Sequence, residues 1–156
     1  MKAIIRNTLA TLAVASLALT LQAAPITGAI SLAGSFSPTG GDINTSTSFA
    51  TLGPAFATAT SGSFAFATSG IVTFPNAGTS MFTMTPFSYG TSALPALSPA
   101  PVQVWTTTNG AVTTSFTLQT ISIVDHNVAN QVGLIGSGFF KMTGFDDTFG
   151  TFNLTA

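Results

Sequence analysis

Apolar and polar residues alternate along much of the chain with a period of two, which is typical of half-buried β-strands. The stretch ITGAISLAGSF is predicted to form the first strand, because its apolar residues share one face: Ile26, Ile30, Leu32 and Phe36. A loop, PTGGDINTS, follows it. The pattern of residues 48–57 fits either a short strand broken by Gly53-Pro54 or a loop.

Three elements are predicted between residues 61 and 101. The stretch SGSFAFATSGIVTFP indicates a hairpin, with Phe64 and Phe66 on one face of the first arm and residues 71–74 in the second. The stretch SMFTMTPFSY alternates as a strand, and Pro86 places it at a sheet edge or at its own end. GTSALPALSPAP is rich in proline and is predicted to be a long surface connection within one domain.

The strongest pattern lies between residues 102 and 127. Two alternating runs are joined by Asn109-Gly110, a pair that favours a tight hairpin turn because both residues tolerate positive φ. In the second run the apolar parity shifts near residues 120–122, which indicates a bulge or a break into a further strand. Residues 130–143 and 149–155 are predicted to be the last two strands.

These patterns predict an all-β fold, an antiparallel β-sandwich or a jelly-roll-like single domain over residues 25–156. Residues 1–24 are predicted to be a secretory signal peptide, with Lys2 and Arg6 ahead of an apolar run and small residues before Pro25. The apolar run is too short for a membrane span, so we expect no stable transmembrane helix in the mature chain. Ala23 or Ala24 is expected to be the last residue removed.

Charged side chains are scarce in the predicted mature chain. Its one base, Lys141, stands against four aspartates, so the formal charge is 1 − 4 = −3. Such a chain cannot neutralise a phosphate backbone, which excludes nucleic acid as a partner and disfavours anionic membrane surfaces. The polar surface must consist of Ser, Thr, Asn and Gly, and it would oppose self-association only weakly. With no cysteine, no disulfide framework is expected.

Few residues could carry out catalysis. A serine-protease-like triad could use only His126, whose neighbour Asp125 points to the opposite face if both lie on one strand. A zinc site would need several His or Cys ligands, which the chain lacks. We therefore predict no enzyme, no cofactor, and neither catalytic nor cofactor-binding residues.

Asp146 and Asp147 form the only acidic pair. They are predicted to lie in a turn between two strands, where aspartate carboxylates cap local backbone N–H groups. The alternative is a calcium site that uses one or both carboxylates, although the spacing lacks the repeated Asp/Asn pattern of a dedicated calcium loop. Neighbours in a tight turn do not provide the separated carboxylates of a glycosidase.

Three stretches resemble secreted proteins of exopolysaccharide-producing Gram-negative bacteria that carry a PEP-CTERM sorting tail. They are ITGAISLAGSF, VQVWTTTNGAVTTSFTLQTISIV and GLIGSGFFKMTGFDDTFGTFNLTA. The last is similar to the pattern G-x-G-x(5)-G-[FY]-[DN]-x-T-x-G-x-[FW] of that group, through Gly136, Gly138, Gly144, Phe145, Asp146, Thr148, Gly150 and Phe152. The sequence stops at Ala156 before any Pro-Glu-Pro motif, apolar span or arginine cluster, so either a tail-less secreted relative or a gene that continues is expected.

The resemblance implies a location at the cell surface or in the biofilm matrix, and it carries over no functional residue. Together with the composition it predicts a non-enzymatic, secreted extracellular β-domain, associated with matrix polysaccharide or with itself. One alternative is a small outer-membrane β-barrel. Another is a carbohydrate-binding module that stacks sugars on Trp105 and Tyr89, although a lone Trp in a β-sandwich is more often a core residue.

Overall fold

The computed structural model describes residues 23–67, 82–125 and 130–156, which share one hydrophobic core. It confirms the prediction of an all-β fold built from antiparallel sheets, apart from one short 3₁₀ helix and one short parallel pair. No helix in these ranges is long and apolar enough to cross a bilayer. The strands are β1 (Ala24–Pro25), β2 (Ile30–Pro38), β3 (Phe49–Thr60), β4 (Thr83–Met84), β5 (Ser88–Gly90), β6 (Pro95–Ser98), β7 (Val102–Asn109), β8 (Val112–Asp125), β9 (Gly133–Met142), β10 (Phe145–Asp146) and β11 (Thr148–Thr155).

The main layer is a five-stranded antiparallel sheet in the order β11-β9-β8-β7-β4. The predicted hairpin between β7 and β8 is confirmed, but its loop is shifted by one residue. Asn109 pairs with Val112, so Gly110 and Ala111 form the two-residue loop, and Gly110 has a φ of 60°. A glycine with positive φ at the first loop position matches the twist of the flanking strands.

The predicted irregularity in β8 is a bulge. The pairing of β8 with β9 shifts register between Leu118 and Thr120, and β8 then continues unbroken to Asp125. The bulge adds one residue to β8, so the apolar side chains on both sides of it face the core. Leu118 before the bulge is fully buried, and Ile121 after it is 9% exposed. The two last strands, β9 and β11, also lie where the sequence predicts them.

Strands β2 and β3 form a separate two-stranded antiparallel sheet. An isolated bridge between Ala55 and Phe82 joins β3 to the residue before β4, and another, between Ser48 and Ser88, joins the residue before β3 to β5. When the Ala55–Phe82 bridge is counted, the two sheets follow one another in the order β11-β9-β8-β7-β4-β3-β2, with β11 and β2 at the ends of this combined sheet order. Of the two alternatives for residues 48–57 the strand is correct, and Gly53-Pro54 does not interrupt it.

The predicted first hairpin arm at Phe64 and Phe66 is wrong. Residues Gly62–Ala67 form a 3₁₀ helix, because Gly62 at a φ of 59° turns the chain away from β3. Ser63 N–H then donates to the Thr27 carbonyl at 2.7 Å, and Phe64 enters the core. The predicted second arm at residues 71–74 lies outside the described residues.

Two short pairs complete the fold. The predicted surface connection at residues 90–101 contains β6, which pairs with β5 around a turn closed by reciprocal backbone hydrogen bonds between Thr91 and Leu94. Strand β1 pairs in parallel with β10, and Ile26 N–H donates to Thr148 Oγ1 at 2.8 Å. The first described strand is thereby fixed beside the connection between β9 and β11.

The core lies between the main sheet and the β2–β3 and β5–β6 hairpins, and aromatic rings fill its centre. Phe116 is 1% exposed, and its ring centre lies 4.6 Å from that of Phe140 and 6.0 Å from that of Phe152. On the side of the β5–β6 hairpin, the ring centre of Phe49 lies 5.5 Å from that of Phe87 and 5.1 Å from that of Tyr89. With no disulfide and few ion pairs, stability depends on these contacts.

Two glycines of β9 allow the close approach of β8. A Cβ atom on Gly136 would overlap the Thr120 carbonyl oxygen, and one on Gly138 would overlap the Thr117 carbonyl oxygen. Both glycines therefore lie against the bulged part of β8. The Gly-x-Gly spacing of the sequence has a packing reason, since any side chain here would push the two strands apart.

Candidate functional site

A cleft of about 680 Å³ opens beside the core, between the two end strands of the sheet order. Its described lining comes from β2 and β3, from Met84 of β4, and from the inner face of β7, β8, β9 and β11. This volume lies within the range of small-ligand sites in proteins. The cleft is the candidate site.

Consecutive residues of β2 and β11 line the cleft, namely residues 30–36 and 151–156. The cleft therefore follows both strands over these lengths. Among the described strands β2 pairs with β3 and β11 pairs with β9, and neither pairs with the other, so the cleft occupies the gap between them.

Aromatic rings form the floor of the cleft. Trp105, Phe116 and Phe140 contribute to it, with 6.1 Å between the ring centres of Trp105 and Phe140. The rim is polar and uncharged, with hydroxyl groups from Ser31, Ser35, Thr151 and Thr155 and the amide of Asn153. An occupant would meet apolar surface below and hydrogen-bonding groups at the sides.

The described lining contains no ionisable side chain. Its chemistry is limited to hydroxyl and amide groups, backbone groups and apolar surface. A serine or threonine acts as a nucleophile when an adjacent base takes its proton, and no described lining residue supplies one. The cleft can bind a neutral partner by burial and hydrogen bonding.

The acidic pair of the sequence lies away from the cleft, in the connection between β9 and β11. Asp147 Oδ2 lies 2.8 Å from Lys141 Nζ, and Asp146 belongs to β10. The prediction that these residues join two strands is confirmed, while the capping by their carboxylates stays a prediction. The described hydrogen bonds instead show Thr148 Oγ1 donating to the Asp146 carbonyl, while the carboxylate that caps a backbone N–H is that of Asp42, which accepts from Asn44.

No group of three or more His, Asp or Glu side chains that could hold a metal ion occurs in the described ranges. The calcium interpretation of Asp146 and Asp147 stays a prediction. Asp125 lies at the end of β8, whereas His126 falls outside the described residues.

The ion pair between Lys141 and Asp147 is expected to add little to stability. Their side chains are 59% and 54% exposed, so water screens the attraction. We expect Lys141→Met to lower the free energy of unfolding by less than about 1 kcal/mol, measured by urea denaturation. A loss well above that value would show that this connection is held by the ion pair rather than by its strand pairings.

Trp105 and Tyr89 were the candidate sugar-stacking residues, and the structure buries both. Trp105 is 4% exposed and Tyr89 is fully buried, so neither ring offers a free face to a sugar. The prediction that Trp105 is a core residue is confirmed. It nevertheless contributes to the cleft floor, so its fluorescence should respond to an occupant.

Tyr89 is the chain's single tyrosine, and burial raises its pKa above the ordinary value of 10.0, while a hydrogen bond with Ser46 opposes that shift. The folded state therefore holds the phenol proton more tightly than the unfolded state does. The stabilisation is fully present below pH 10 and is lost as the pH rises through the folded pKa. We expect the free energy of unfolding to fall above pH 10 in the wild type and to fall less in Tyr89→Phe, measured by denaturation at several pH values. Equal alkaline losses in both proteins would contradict this assignment, because Tyr89→Phe removes the phenol that it invokes.

The fold and the cleft together define a small antiparallel β-domain with an aromatic-floored cleft whose described lining has no charged side chain. Comparison of the chain with protein-family models, with curated proteins and with solved structures gave no match.

The cleft was not predicted from the sequence, because its two sides come from opposite ends of the chain. The alternation of ITGAISLAGSF and TFNLTA predicts strands but carries no signal for their position in the sheet order. The useful signal was the scarcity of charge, since it predicts that any binding surface is neutral.

Proposed function

We propose that this protein is an exported, non-enzymatic β-domain of the cell surface or exopolysaccharide matrix of a Gram-negative bacterium, and that it acts by binding a neutral partner in the cleft. The observation that carries the proposal is the described lining of the cleft, which combines an aromatic floor with an uncharged hydrogen-bonding rim.

The sequence supports the exported location. Residues 1–24 have the layout of a secretory signal, and three further stretches resemble secreted proteins with a PEP-CTERM tail. The exposed parts of the strands are rich in Thr, Ser and Asn, several of which hydrogen-bond across strands, as Thr120 does with Ser137 at 2.7 Å. A surface of this kind suits a hydrated neutral polymer better than a charged partner.

Fractionation of a bacterium that expresses the full chain tests the location. We expect the protein in the matrix or surface fraction, with Ala24 or Pro25 as its first residue by intact mass. We also expect it to resist elution with 1 M salt, since at that ionic strength charge interactions are screened beyond about 3 Å.

A variant with Lys2→Glu and Arg6→Glu is the matched control, because a secretory signal needs its basic start. This variant should stay inside the cell with residues 1–24 attached. Recovery of the wild-type protein only from the cytoplasm, at its full mass, would contradict the proposal.

A further inference from the structure

Both end strands of the sheet order have an outer edge that no described strand pairs with. Among the strands that the structure describes, β2 pairs with β3 alone and β11 with β9 alone. Each such edge carries a row of backbone N–H and C=O groups that can bind another backbone. The cleft lies between these two edges, so each of its two walls presents backbone N–H and C=O groups.

The cleft has the length of a short strand. The run of β2 that lines it, residues 30–36, corresponds to roughly 20 Å at about 3.3 Å per residue. Opposite it lie residues 151–156, a run of similar length. An extended segment of about six or seven residues would match both walls in length. It would meet a regular edge at β11 and an irregular one at β2, whose pairing with β3 shifts register after Ser31 and after Gly34.

The floor and the rim of the cleft differ in polarity, as the buried and exposed faces of a strand do. The floor offers the half-buried apolar side chains of Phe140, Phe152 and Leu154, whereas Thr151 and Asn153 are exposed at the rim. A segment with alternating apolar and small polar residues would bury the first set and expose the second. A charged residue would find no opposite charge in the described lining.

We propose that the cleft accepts an extended, uncharged peptide segment of another protein chain, which pairs through its backbone with β2 on one side and with β11 on the other. The added strand would close the gap between the ends of the sheet order, which is the strand-addition mode of peptide recognition. This inference rests on the proposed binding function of the cleft, but not on the cellular location.

The edge of β11 favours this occupant over a sugar chain. β11 pairs with β9 over eight residues without a register shift, and it contains neither a charged residue nor a proline. Charges, prolines and bulges are the usual means by which proteins prevent strand addition at an edge. A sugar can bind individual backbone groups through its hydroxyls, but it does not repeat donors and acceptors at the spacing of a strand, so it would match the two rows less completely than an extended peptide.

The test uses a fluorescein-labelled peptide, VTTSFTLQ, with the sequence of residues 112–119. This segment of β8 pairs with strands on both sides in the native fold and carries no charge. We expect saturable binding to the purified protein by fluorescence anisotropy. An unlabelled copy of the peptide should also change the emission of Trp105, which is the chain's single tryptophan.

Thr151→Lys should weaken peptide binding at least tenfold, because it places a charge at the rim beside the β11 edge. Thr108→Lys is the matched control, since Thr108 is also an exposed strand threonine but does not line the cleft. It should bind as the wild type does. Circular dichroism melts of both variants check folding, and Asn153→Lys replaces Thr151→Lys if that variant unfolds.

Two N-methylated peptides test the pairing on each side. Methylation of the amides of Thr113, Ser115 and Thr117 blocks one edge of the peptide, and methylation of Thr114, Phe116 and Leu118 blocks the other. Both sets should abolish binding, because the proposed occupant pairs on both sides. Loss with only one set, or equal binding by wild type and Thr151→Lys, would overturn the inference.

Other occupants give different results. If soluble dextran changes Trp105 emission while the peptide does not bind, the inference fails but the proposed function in neutral-polymer binding survives. If the protein dimerises with concentration and does not bind the peptide, the edge serves a second copy and the inference fails. If neither dextran nor the peptide binds and the protein stays monomeric, both proposals for the cleft fail.

Discussion

Replacing Gly138 by alanine is expected to lower the free energy of unfolding by roughly 3 kcal/mol, the upper part of the range for an overpacked core position. The added Cβ would overlap the Thr117 carbonyl oxygen, which is a backbone atom and cannot move aside without shifting β8. The pairing of β8 with β9 would be strained beside the bulge. Urea denaturation followed by Trp105 fluorescence measures the loss.

Gly133→Ala is the control in the same strand. A Cβ atom there would lie 3.2 Å from Val124 Cγ2, the end of an exposed side chain that can turn away, and 3.3 Å from Asp125 Cβ, a contact relieved by a shift of a few tenths of an ångström. Alanine also loses less conformational entropy than glycine on folding, so we expect a change within about 1 kcal/mol of zero. Equal losses at both positions would show that the close approach at Gly138 is not the cause.

Phe116→Ala is expected to cost about 3–5 kcal/mol, which is the usual range for deletion of a buried ring. Phe116 is 1% exposed, and its ring lies between those of Phe140 and Phe152 at the centre of the core. Removal would leave a cavity that these rings, held on β9 and β11, cannot fill. A loss of this size is a large part of the 5–15 kcal/mol that stabilises a typical domain, so the variant should melt far below the wild type.

Phe149→Ala provides the comparison on the outer face. Phe149 is 60% exposed and contacts the ring of Phe139 at 5.6 Å. We expect a loss below about 1 kcal/mol, the value of a single aromatic pair on a surface. If Phe149→Ala were as destabilising as Phe116→Ala, the outer face would have to be a second buried surface.

Features set by local sequence were predictable. The β7–β8 hairpin follows from Gly110 between two alternating runs, and the bulge in β8 follows from the parity change after Leu118. In both cases the signal lies within a few residues of the feature. The loop was still misplaced by one residue, because Asn109 and Gly110 both tolerate the turn and only the strand register selects between them.

Features set by distant contacts were not predictable in this way. The alternation of Phe64 and Phe66 fits a strand, yet the backbone at Gly62 is turned by its contact with Thr27. The sheet order is built mainly from pairings between strands close in sequence, and β2 reaches the same cleft as β11 only through the whole series of pairings and the packing of the shared core. A hydrophobic period of two indicates which residues of a strand face inward, but it does not indicate which other strand lies beside that strand.

The residues of the candidate site show the same difference between features that local sequence predicts and features that depend on distant contacts. The sequence drew attention to ionisable and aromatic residues, and the structure places Asp146 and Asp147 in an exposed connection and buries Trp105 and Tyr89. The cleft rim consists of common residues, such as Thr151 and Asn153, whose role depends on position alone. Composition could predict the neutral character of the cleft but not its place.

The hydrogen bond from Ile26 to Thr148 joins residues 122 positions apart, and β1 pairs with β10 at the same place. Contacts this distant form slowly, because a long loop must close before they contribute. A growing chain cannot make them until residue 148 has left the ribosome. The topology therefore keeps the first described strand without its partner until the connection between β9 and β11 has been synthesised.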